Sequence, residues 1–440
     1  MSELQLMSGV HETRQARAEA LATTFPKAAE RGAQLSSTVG GRSIALPVLG
    51  RLQPSEYART RNHLDGAVTR LSAYVRHGAI TLGEMYRAAL GNVRQPAQAE
   101  KFVSELGWRD YYQRVYEVVG NRLWNDLEYP KTGYAPGDYK RELPADVQEG
   151  KTGLACMDGF ADELRQTGYL HNHARMWMAA YVVHHRRVHW RAGAEWFLQH
   201  LLDGDVASNN LSWQWVASTF SAKPYYFDRG NLEGYTGGRY CGDCAARKAC
   251  PFGGGYEHLA RKLFRPERVE QGALEQPTRL AAEFEDESAK PVSRDEQALA
   301  WVHDYALGDT NPALQAAGTA AFVWDPKLYG QGDFSLKRLV FISECLGELP
   351  TVQQYVGETV ETLRAAARQL DKRRIVTTYS ASPYVKQVVA KLGEAMPVEV
   401  VQHDPLVRLS GRVDVTRFTR YWKKAEARLV REPVEPRLFE

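Results

Sequence analysis

The chain has 440 residues, of which 44% are hydrophobic and 25% are charged, and its formal net charge is only +3. This composition excludes a wholly disordered protein, and the length predicts two or three domains. The near balance of charges excludes a surface that is basic throughout, so nucleic-acid binding would need a local basic region. Aromatic residues make up 10% of the chain, and such rings stack well on flat ligands and on bases.

The expected compartment follows from what the sequence lacks. The start of the chain has no apolar core of the kind found in signal peptides, and no stretch approaches the roughly 18 consecutive apolar residues of a membrane helix. Five cysteines in a chain of this length do not make the disulfide framework of a small secreted protein. We therefore expect a cytoplasmic protein with no membrane partner.

The hydrophobic pattern predicts four parts. It changes from helical periodicity to a polar stretch, and then to strands that alternate with helices, which is typical of a parallel sheet. The parts are an N-terminal extension packed on the helical domain (1–54), a mainly helical domain (55–264), a polar linker (265–297), and an α/β domain with a C-terminal helical tail (298–440). The predicted fold class is therefore multidomain, with a mainly helical domain followed by a Rossmann-like parallel α/β domain.

Cap signals and periodicity place elements inside these domains. Thr81 and Glu84 form a capping box that predicts a helix over 80–90, and apolar stripes predict helices over 95–118 and 193–202. In the last domain the pattern predicts strands over 298–303, 320–324, 374–378 and 398–402, and helices over 335–346 and 352–370.

Two pairs of residues in the helical domain have the chemistry of a ligand site. Asn209 and Trp213 are four residues apart, so they would share a helix face. Arg175 and Asp203 suit a buried ion pair, which is tolerated only when both groups are fully hydrogen-bonded. The alternative interpretation is a core helix with aromatic filling.

Three stretches of the helical domain carry a specific pattern. They read ELGWRDYY (105–112), GYLHNHARM (168–176) and RVHWRAGAEWFLQHLLDGDVASNNLSWQW (187–215). Together they resemble the FAD-binding domain of the photolyase/cryptochrome family. Upstream, Tyr57-x3-Arg61 and the run Thr69-Arg70-Leu71-Ser72 match the phosphate-binding segment of that family. The resemblance spans nearly the whole helical domain.

The resemblance implies that this domain binds FAD. In the family an Arg–Asp pair brackets the isoalloxazine ring, here Arg175 with Asp203, and an Asn faces the flavin N5, here Asn209. The residues implied to contact FAD are Tyr57, Arg61, Thr69, Leu71, Ser72, Arg109, Asn172, Arg175, Asp203, Asp205 and Asn209.

The resemblance also implies a pocket for damaged pyrimidines. Glu105 lies three residues before Trp108, so both project to one side of a helix. A carboxyl desolvated beside an indole can donate a hydrogen bond to a carbonyl, and in the family the Glu holds the lesion while the Trp stacks on it. The residues implied to be catalytic are Glu105, Trp108, Asn172, His173, Met176 and Trp215.

An electron relay to photoexcited flavin is a further implication of the resemblance. Trp213 and Trp190 match two tryptophans of the family's relay. The outermost Trp is missing from the matching region, where the chain has Tyr134 and Tyr139 instead. Tyr139 is therefore the predicted substitute for the outer member.

The cysteine spacing predicts a metal site. Cys241, Cys244 and Cys250 follow the flavin segment, and a C-x2-C pair lets two thiolates converge on one ion. Cys156 is the candidate fourth ligand. This arrangement resembles the iron–sulfur branch of bacterial photolyases and cryptochromes, which implies a 4Fe-4S cluster. Zinc and unliganded buried thiols are the alternatives, whereas Cys345 lies in an apolar helix and is predicted to be a core residue.

The order of the domains is inverted relative to the family, whose members begin with the α/β domain. Here WVHDYALGDTNPAL (301–314) and AAFVWDP (320–326) resemble the opening strands of that domain, although they lie near the C-terminal end. We therefore infer a circular permutation, with an unrelated α/β domain as the alternative. The sequence does not identify a second, light-harvesting chromophore, and a cleft at the switch point of the sheet is the expected place for one.

The function implied by the resemblance is light-driven repair of UV-damaged DNA, in which excited reduced FAD passes an electron to a flipped-out pyrimidine dimer. Asn172 and Met176 match the pattern for cyclobutane dimers, which we favour. One alternative is a 6-4 photoproduct photolyase, whose expected His is replaced here by Asn172, with His173 beside it. The other is a cryptochrome-like blue-light photoreceptor without repair activity.

Binding to DNA would depend on contacts with phosphates. The run from His184 to Arg187, with Arg191, is the candidate basic surface, and a solvated helix end is the alternative. The sequence does not determine the oligomeric state, and we expect a monomer.

Overall fold

The computed structural model describes residues 4–7, 13–30, 32, 34–268, 279–284 and 293–430. The chain divides into two units, and each is described by itself. The first, which we call the sheet unit, comprises Met1–Ser55, Thr69–Val118 and Ala281–Glu440. The second, which we call the helical unit, comprises Glu56–Val68 and Val119–Leu280. Residues 69–118, which we predicted within the helical domain, therefore group with the sheet.

The elements of the described residues are as follows. The α-helices are α1 (Arg14–Thr24), α2 (Pro26–Glu30), α3 (Arg42–Leu49), α4 (Pro54–Thr60), α5 (Ser72–Arg76), α6 (Leu82–Gly91), α7 (Glu100–Val119), α8 (Ala145–Glu149), α9 (Ala155–Thr167), α10 (Asn172–Ala180), α11 (Trp190–His200), α12 (Val206–Ala217), α13 (Arg229–Thr236), α14 (Gly255–Leu263), α15 (Pro312–Ala316), α16 (Pro326–Tyr329), α17 (Leu336–Gly347), α18 (Thr359–Gln369), α19 (Pro383–Gly393) and α20 (Phe418–Ala425). The strands are β1 (Gln5–Leu6), β2 (Ala281–Phe284), β3 (Asp295–Val302), β4 (Ala317–Trp324), β5 (Val352–Val356), β6 (Arg374–Thr378), β7 (Val398–Val401) and β8 (Gly411–Asp414). Short 3-10 turns occur at Pro96–Ala99, Gly120–Trp124, Pro136–Asp138, Arg247–Ala249, Pro266–Arg268 and Glu426–Arg428, and a π-helix at Tyr181–His185.

The sheet unit is built on a mostly parallel sheet with strand order β1-β5-β4-β3-β6-β7. The strands from β3 to β7 are parallel to their neighbours, whereas β1 pairs antiparallel with β5. The last five residues of β4 are all buried, as expected for a parallel strand that is covered on both faces. The predicted parallel α/β fold is therefore confirmed. β2 and β8 form a separate antiparallel pair.

One predicted element of the sheet unit was wrong. We predicted a single helix over 352–370, but the structure has strand β5 followed by helix α18. β5 is paired along its whole length with β4, from Val352 beside Ala320 to Val356 beside Trp324. The apolar residues of this short segment suit either a helix or a strand, and pairing with the buried β4 decides the outcome.

The described part of the N-terminal extension packs on the sheet unit, which includes residues 69–118 of the predicted helical domain. Arg42 forms an ion pair with Glu84 at 2.6 Å, so the predicted packing on that part of the helical domain is confirmed, and the extension also contacts the sheet elements. Gln5 pairs with Val356 at the edge of the sheet. Arg14 Nε forms an ion pair with Glu344 of α17 at 2.7 Å, and Arg17 Nη1 donates to the Ser343 carbonyl at 2.7 Å. These contacts add one strand to an exposed sheet edge and satisfy polar groups of α17.

The predicted capping box is confirmed, and it sets the start of α6. Thr81 Oγ1 accepts from the Glu84 N–H at 2.9 Å, while Glu84 Oε2 accepts from the Thr81 N–H at 2.8 Å. The helix therefore begins after Thr81, at Leu82, rather than at residue 80.

The helical unit has a core of large aromatic side chains. Phe160, Trp177 and Phe197 are completely or almost completely buried there, as are Phe227 and Phe252. Each such ring buries about 150–250 Å² when it is fully enclosed. These residues belong to α9, α10 and α11 and to the segments on either side of α13. The core therefore connects the motif stretches at 168–176 and 187–215 to the cysteine segment.

Two predicted segments lie partly outside the described residues. Of the predicted linker 265–297, residues 269–278 and 285–292 are not described, and the described part contains β2 and the start of β3. Of the predicted C-terminal helical tail, α20 is described and 431–440 are not. Among the helices of the described ranges, none combines the length and apolar character that crossing a membrane requires.

Candidate functional site

An ion pair in the helical unit joins two of the predicted flavin-binding residues. Arg175 of α10 places Nη2 3.0 Å from Asp203 Oδ1 and 2.9 Å from Asp203 Oδ2, and its Nε donates to the Leu170 carbonyl at 2.7 Å. The Asp203 side chain is 7% exposed and the Arg175 side chain 24% exposed. The predicted pair is therefore confirmed, and it leaves part of the guanidinium accessible to a ligand.

The first turn of α12 orients two of the predicted flavin residues. Asp205 caps the helix, because its Oδ2 accepts from the Ser208 N–H at 3.0 Å and from the Ser208 hydroxyl at 2.6 Å. Asn209 Nδ2 donates to the Ala194 carbonyl at 3.0 Å and to Asn210 Oδ1 at 3.1 Å. Since both partners accept, the orientation of the Asn209 amide is determined by the protein.

The start of α10 carries the predicted lesion residues of this unit. Asn172 is exposed, and its Nδ2 lies 3.6 Å from the Met176 sulfur, one turn further along the helix. His173 packs its ring 5.3 Å from Trp177 and 5.2 Å from Tyr235. Burial lowers the pKa of His173 to about 4, with nearby positive groups acting in the same direction, so its ring is neutral near pH 7. The fourth residue, Trp215, is half-buried against Tyr225.

In the sheet unit, the predicted lesion residues Glu105 and Trp108 have partners from their own unit. Glu105 Oε1 forms an ion pair with Lys101 at 2.6 Å, one turn earlier on α7. The indole of Trp108 stacks on Phe418 of α20, with ring centroids 4.0 Å apart and an interplanar angle of 11°. Phe418 therefore covers one face of the indole that we predicted to stack on a lesion.

A glycine lets α20 approach α7 closely at this point. A Cβ on Gly107 would lie 2.1 Å from the Trp422 ring, so no larger residue fits without moving the helix. The hydroxyl of Tyr111 also donates to the Val415 carbonyl at 3.1 Å, and Tyr421 is hydrogen-bonded to Asp110. The contact between these helices is thus built from several specific interactions.

The remaining predicted flavin residues divide between the two units. In the helical unit, Tyr57 and Arg61 lie one turn apart, with the Arg61 N–H donating to the Tyr57 carbonyl at 2.9 Å. In the sheet unit, Thr69 Oγ1 accepts from the Leu71 N–H at 3.2 Å, and Ser72 begins α5. Arg109, also in the sheet unit, lies on α7.

The predicted relay tryptophans lie on adjacent helices of the helical unit. A Cβ on Gly193 of α11 would lie 2.2 Å from the Trp213 ring, so the ring packs directly on that glycine. Trp190 is three residues before Gly193 on the same helix, and its indole N–H donates to Asp126 Oδ1 at 2.6 Å. Tyr139 and Trp190 line one small cavity of about 220 Å³.

The four cysteines of the predicted cluster line one cavity of about 330 Å³, counting space open to solvent. Burial, together with the smaller effect of the other three cysteines, raises the pKa of the Cys156 thiol to about 12. Within the described residues, no group of three or more His, Cys, Asp and Glu side chains is arranged to hold a metal ion. Cys345, in contrast, is buried in α17, where its sulfur accepts from the Gly41 N–H at 3.2 Å, and its prediction as a core residue is confirmed.

The family known as the FAD binding domain of DNA photolyase matches residues 102–234. This stretch of the chain is similar to the FAD-binding domain of DNA photolyases. A deoxyribodipyrimidine photo-lyase of Streptomyces griseus is 34% identical over 170 residues, which cover 38% of this chain and 35% of that protein. One of Halobacterium salinarum is 33% identical over 168 residues, covering 36% of this chain and 34% of that protein. The matched region thus spans about a third of these relatives.

Among solved structures, a cryptochrome of Synechocystis sp. PCC6803 is similar to this chain, with 24% sequence identity and a TM-score of 0.40. The similarity covers 46% of this chain and 44% of that one.

The basic run within the photolyase-type domain is not the exposed surface that we predicted. His184 is 1% exposed inside the π-helix, and burial lowers its pKa to about 3. Arg186 pairs with Asp146 at 2.7 Å, and the Arg187 guanidinium lies 3.6 Å from the centre of the Tyr134 ring. These groups stabilise the unit, so the prediction of a free phosphate-binding run was wrong for them.

A cleft of about 910 Å³, counting space open to solvent, lies within the sheet unit at the carboxyl ends of its strands. It is lined by residues that follow β3, β6 and β7, among them Tyr305, Tyr379 and His403, and by Arg109 of α7. β3 lies between β4 and β6, so the order of the strands reverses there. This is the position at which ligands bind in open parallel sheets, and where we expected a second chromophore.

Three residues of the site were missed by the sequence analysis. Phe418, Asp126 and Gly193 each contact a predicted functional tryptophan. Phe418 and Trp422 are four residues apart and form an aromatic helix face, which in the sequence could have indicated a packed helix. Nothing in the sequence around Asp126 indicates its contact with Trp190. Gly193 could also have been recognised from the sequence, because a glycine inside a helix often marks a close contact with another residue.

Proposed function

We propose that the chain is a flavoenzyme that repairs cyclobutane pyrimidine dimers in UV-damaged DNA by light-driven electron transfer. The observation that carries this proposal is the arrangement of α10. Its first turn bears the contacting pair Asn172 and Met176, and the residue between them in the turn, Arg175, pairs with Asp203. In the proposed enzyme, one helix would therefore supply both a lesion-contacting group and a flavin-contacting group.

The residues present suit FAD. The partly exposed Arg175 offers positive charge beside a buried carboxylate, and the fixed amide of Asn209 offers a group of defined orientation one turn before Trp213. Asp205 would hold the start of α12, and with it Asn209, in place. The chemistry supplied by bound, reduced FAD is donation of one electron to the dimer on illumination and its recovery after the cyclobutane ring opens.

The lesion preference rests on α10. Repair of a 6-4 photoproduct needs a proton donor at the pocket, and His173 is a poor one because burial lowers its pKa to about 4. Its ring also packs between Trp177 and Tyr235 rather than at the exposed end of the helix. Asn172 and Met176 are the accessible pair, and an amide beside a thioether suits a neutral, hydrogen-bonding pyrimidine dimer.

Repair tests this proposal directly. The purified protein, with its flavin reduced, is illuminated with blue light in the presence of an oligonucleotide that carries one cyclobutane thymine dimer, and restored thymines are quantified. Repair of the dimer is expected in the light and none in the dark. Replacement of Glu105 by Gln is expected to lower the repair rate about tenfold, because an amide N–H is a weaker hydrogen-bond donor to the lesion than a carboxylic acid O–H, and a loss of about 1.4 kcal/mol is a factor of ten.

Glu117→Gln is the matched control for this variant. Glu117 lies on the same helix, is exposed to a similar extent, 27% against 25% for Glu105, and is likewise close to a basic residue, Arg114. Its substitution is expected to leave repair unchanged. Equal rates for the Glu105 variant and the wild type would contradict the assignment of Glu105, and repair of a 6-4 oligonucleotide alone would contradict the lesion preference.

We also propose that the four cysteines hold a 4Fe-4S cluster. Zinc with four thiolates requires each sulfur about 2.3 Å from one ion, so the sulfurs would lie about 4 Å from one another. A four-iron cluster instead takes its thiolates at separate corners of a larger cage, and all four thiols here line one cavity. This shared cavity and the spacing of the cysteines support the proposal, and metal analysis distinguishes the cluster from zinc.

The inverted order of domains is proposed to be a circular permutation. The parallel sheet of the described residues, from β3 to β7, follows the photolyase-type domain in the chain. Its first strand is central and its order is doubly wound, as in α/β domains that bind nucleotides. A polar segment precedes β3, and such segments join old termini in permuted proteins.

A second function, a blue-light photoreceptor without repair activity, is favoured by one observation. Phe418 stacks on Trp108, so the indole face is engaged before any lesion arrives. An aromatic stack contributes about 0.5–1.5 kcal/mol beyond the area that it buries, and a lesion would have to displace it. A photoreceptor has no need of a free indole face.

Replacement of Phe418 by Ala separates these two functions. In a repair enzyme, loss of the stack frees Trp108, and affinity for the dimer oligonucleotide is expected to rise several-fold, in line with the 0.5–1.5 kcal/mol of an aromatic pair. Binding is measured by fluorescence anisotropy, with Phe334→Ala, elsewhere in the sheet unit, as the control. If neither the wild type nor the variant repairs either lesion while both retain flavin, the photoreceptor is the better assignment.

A further inference from the structure

We propose that Asp126 accepts the indole proton of Trp190 when Trp190 is oxidised, so that the electron relay ends in a neutral radical on this residue. The inference rests on the proposed flavin-dependent function. It starts from a short hydrogen bond, in which Trp190 Nε1 donates to Asp126 Oδ1 at 2.6 Å. The Asp126 carboxylate is hydrogen-bonded to the indole N–H of a predicted relay tryptophan, so it is a base already in position to accept the indole proton.

The step balances as follows. Trp190 loses one electron, which passes by way of Trp213 to photoexcited oxidised flavin. An indole that has lost an electron is a far stronger acid, so the Nε1–H bond breaks and an O–H bond forms at Asp126 Oδ1. The electron is taken up by the flavin, and the proton by the carboxylate. Because the indole is then neutral, return of the electron requires return of the proton, which slows the reverse reaction.

Burial makes a local base necessary. Trp190 is 2% exposed, so its N–H has no direct route to bulk water. The Asp126 side chain is 18% exposed and can pass the proton outwards. His189 Nε2 lies 3.3 Å from the same Oδ1 and holds the carboxylate in place. Trp213 packs on Gly193, one turn from Trp190 on α11, so the two relay rings approach the same stretch of helix.

The environment of Tyr139 is unsuited to the same reaction, although this residue lines the cavity next to Trp190. An oxidised phenol must lose its proton, and the Tyr139 hydroxyl lies 2.7 Å from the Thr132 hydroxyl, which is a poor base. Burial raises the pKa of Tyr139, and the nearby Arg187 is a cation that cannot accept a proton. Asp126 also lines this cavity and raises the pKa of Tyr139, but its hydrogen bond is to the indole of Trp190, so the geometry assigns the end of the relay to Trp190 and Asp126 rather than to Tyr139.

Transient absorption after a blue flash tests this assignment on the full chain loaded with oxidised FAD. In the wild type a neutral tryptophanyl radical is expected, and its formation is expected to be slower in D₂O. Asp126→Asn keeps an oxygen acceptor for the indole N–H but cannot take the proton. Its radical is expected to stay protonated, to recombine faster, and to give a several-fold lower yield of reduced flavin. Loss of the isotope effect is the signature that a structural role alone would not produce.

Two controls accompany the variant. Asp138→Asn removes another carboxylate of the helical unit, which accepts from the Ala135 N–H at 2.8 Å, and is expected to behave as the wild type. Tyr139→Phe is also expected to leave the radical unchanged. A radical in Asp126→Asn with wild-type spectrum, lifetime and isotope effect would overturn the proposal, as would a tyrosyl radical that disappears in Tyr139→Phe.

The wild-type protein provides an independent measurement that needs no variant. Absence of any solvent isotope effect on radical deprotonation would contradict proton transfer to a hydrogen-bonded carboxylate. Repair is measured separately on protein whose flavin is reduced chemically, which bypasses the relay. Failure of repair with the expected radical behaviour overturns the proposed enzyme function alone, whereas normal repair with unaltered radicals in Asp126→Asn overturns the role of Asp126 alone.

Discussion

Replacing Arg175 with Ala is expected to give a protein that purifies almost without FAD. The substitution removes the ion pair from Asp203, whose carboxylate is only 7% exposed, and breaking a buried pair costs about 3 kcal/mol. This pair is predicted to bracket the isoalloxazine ring of FAD. Affinity for FAD is therefore expected to fall about a hundredfold, because each 1.4 kcal/mol of binding free energy corresponds to about a factor of ten in Kd. FAD per chain is measured by absorbance after desalting, and the Kd by fluorescence titration.

The matched control is Arg165→Ala. Arg165 also forms an ion pair, with Asp162 at 3.6 Å, but both side chains are about half exposed and lie on α9. Such surface pairs contribute about 0–1 kcal/mol, so this variant is expected to bind FAD as the wild type does. Arg175→Lys keeps the charge and is expected to restore part of the affinity. Retention of one tightly bound FAD in Arg175→Ala would contradict the proposed site.

The second large effect is expected at the cysteine cavity. Replacement of Cys250 by Ser is expected to reduce the iron content from about four atoms per chain to less than one, because the cluster needs all four thiolates. Metal binding contributes to the free energy of folding, so the melting temperature of the protein is expected to fall by about 10 °C. Iron and acid-labile sulfide are assayed on anaerobically purified protein, and unfolding is followed by circular dichroism.

Cys345→Ala is the control for this experiment. Cys345 is equally free of disulfide bonds but lies in the core of the sheet unit, so its loss is expected to leave the iron content unchanged. Stoichiometric zinc in the wild type, with no iron or sulfide, would contradict the proposed cluster. A protein that contains neither metal would leave four unliganded thiols, the alternative that the spacing of the cysteines already allowed.

Local signals in the sequence were sufficient for several features. The capping box at Thr81 acts over three residues, and β6 was predicted with its observed bounds because a short buried strand between polar flanks has few alternatives. The pair of Arg175 and Asp203 is 28 residues apart in sequence, and it was predicted from the resemblance to the photolyase/cryptochrome family together with the need of a buried charge for a partner. The first two features depend on local requirements, and the third on the family pattern.

Other features depend on contacts between distant residues. The helix predicted over 352–370 was wrong because β5 gains its hydrogen bonds from β4, and no property of residues 352–356 alone reveals that pairing. Asp126 is 64 residues from Trp190, and an isolated Asp carries no mark of its hydrogen-bond partner. The stack of Phe418 on Trp108 likewise joins helices from opposite ends of the sheet unit's sequence.

The sequence by itself determined which residues are available and how they are spaced, among them the four grouped cysteines, and its resemblance to the photolyase/cryptochrome family implied a flavin site and relay tryptophans. The spacing of the cysteines and the helix periodicity obey local rules, whereas the implied roles depend on the resemblance. Only the tertiary structure decided which partner each group has, namely Phe418 for Trp108, Asp126 for Trp190, and Lys101 for Glu105. Which residues come into contact depends on the packing of whole helices and strands. The energy of that packing is a sum over many contacts, so no short segment of the sequence determines it.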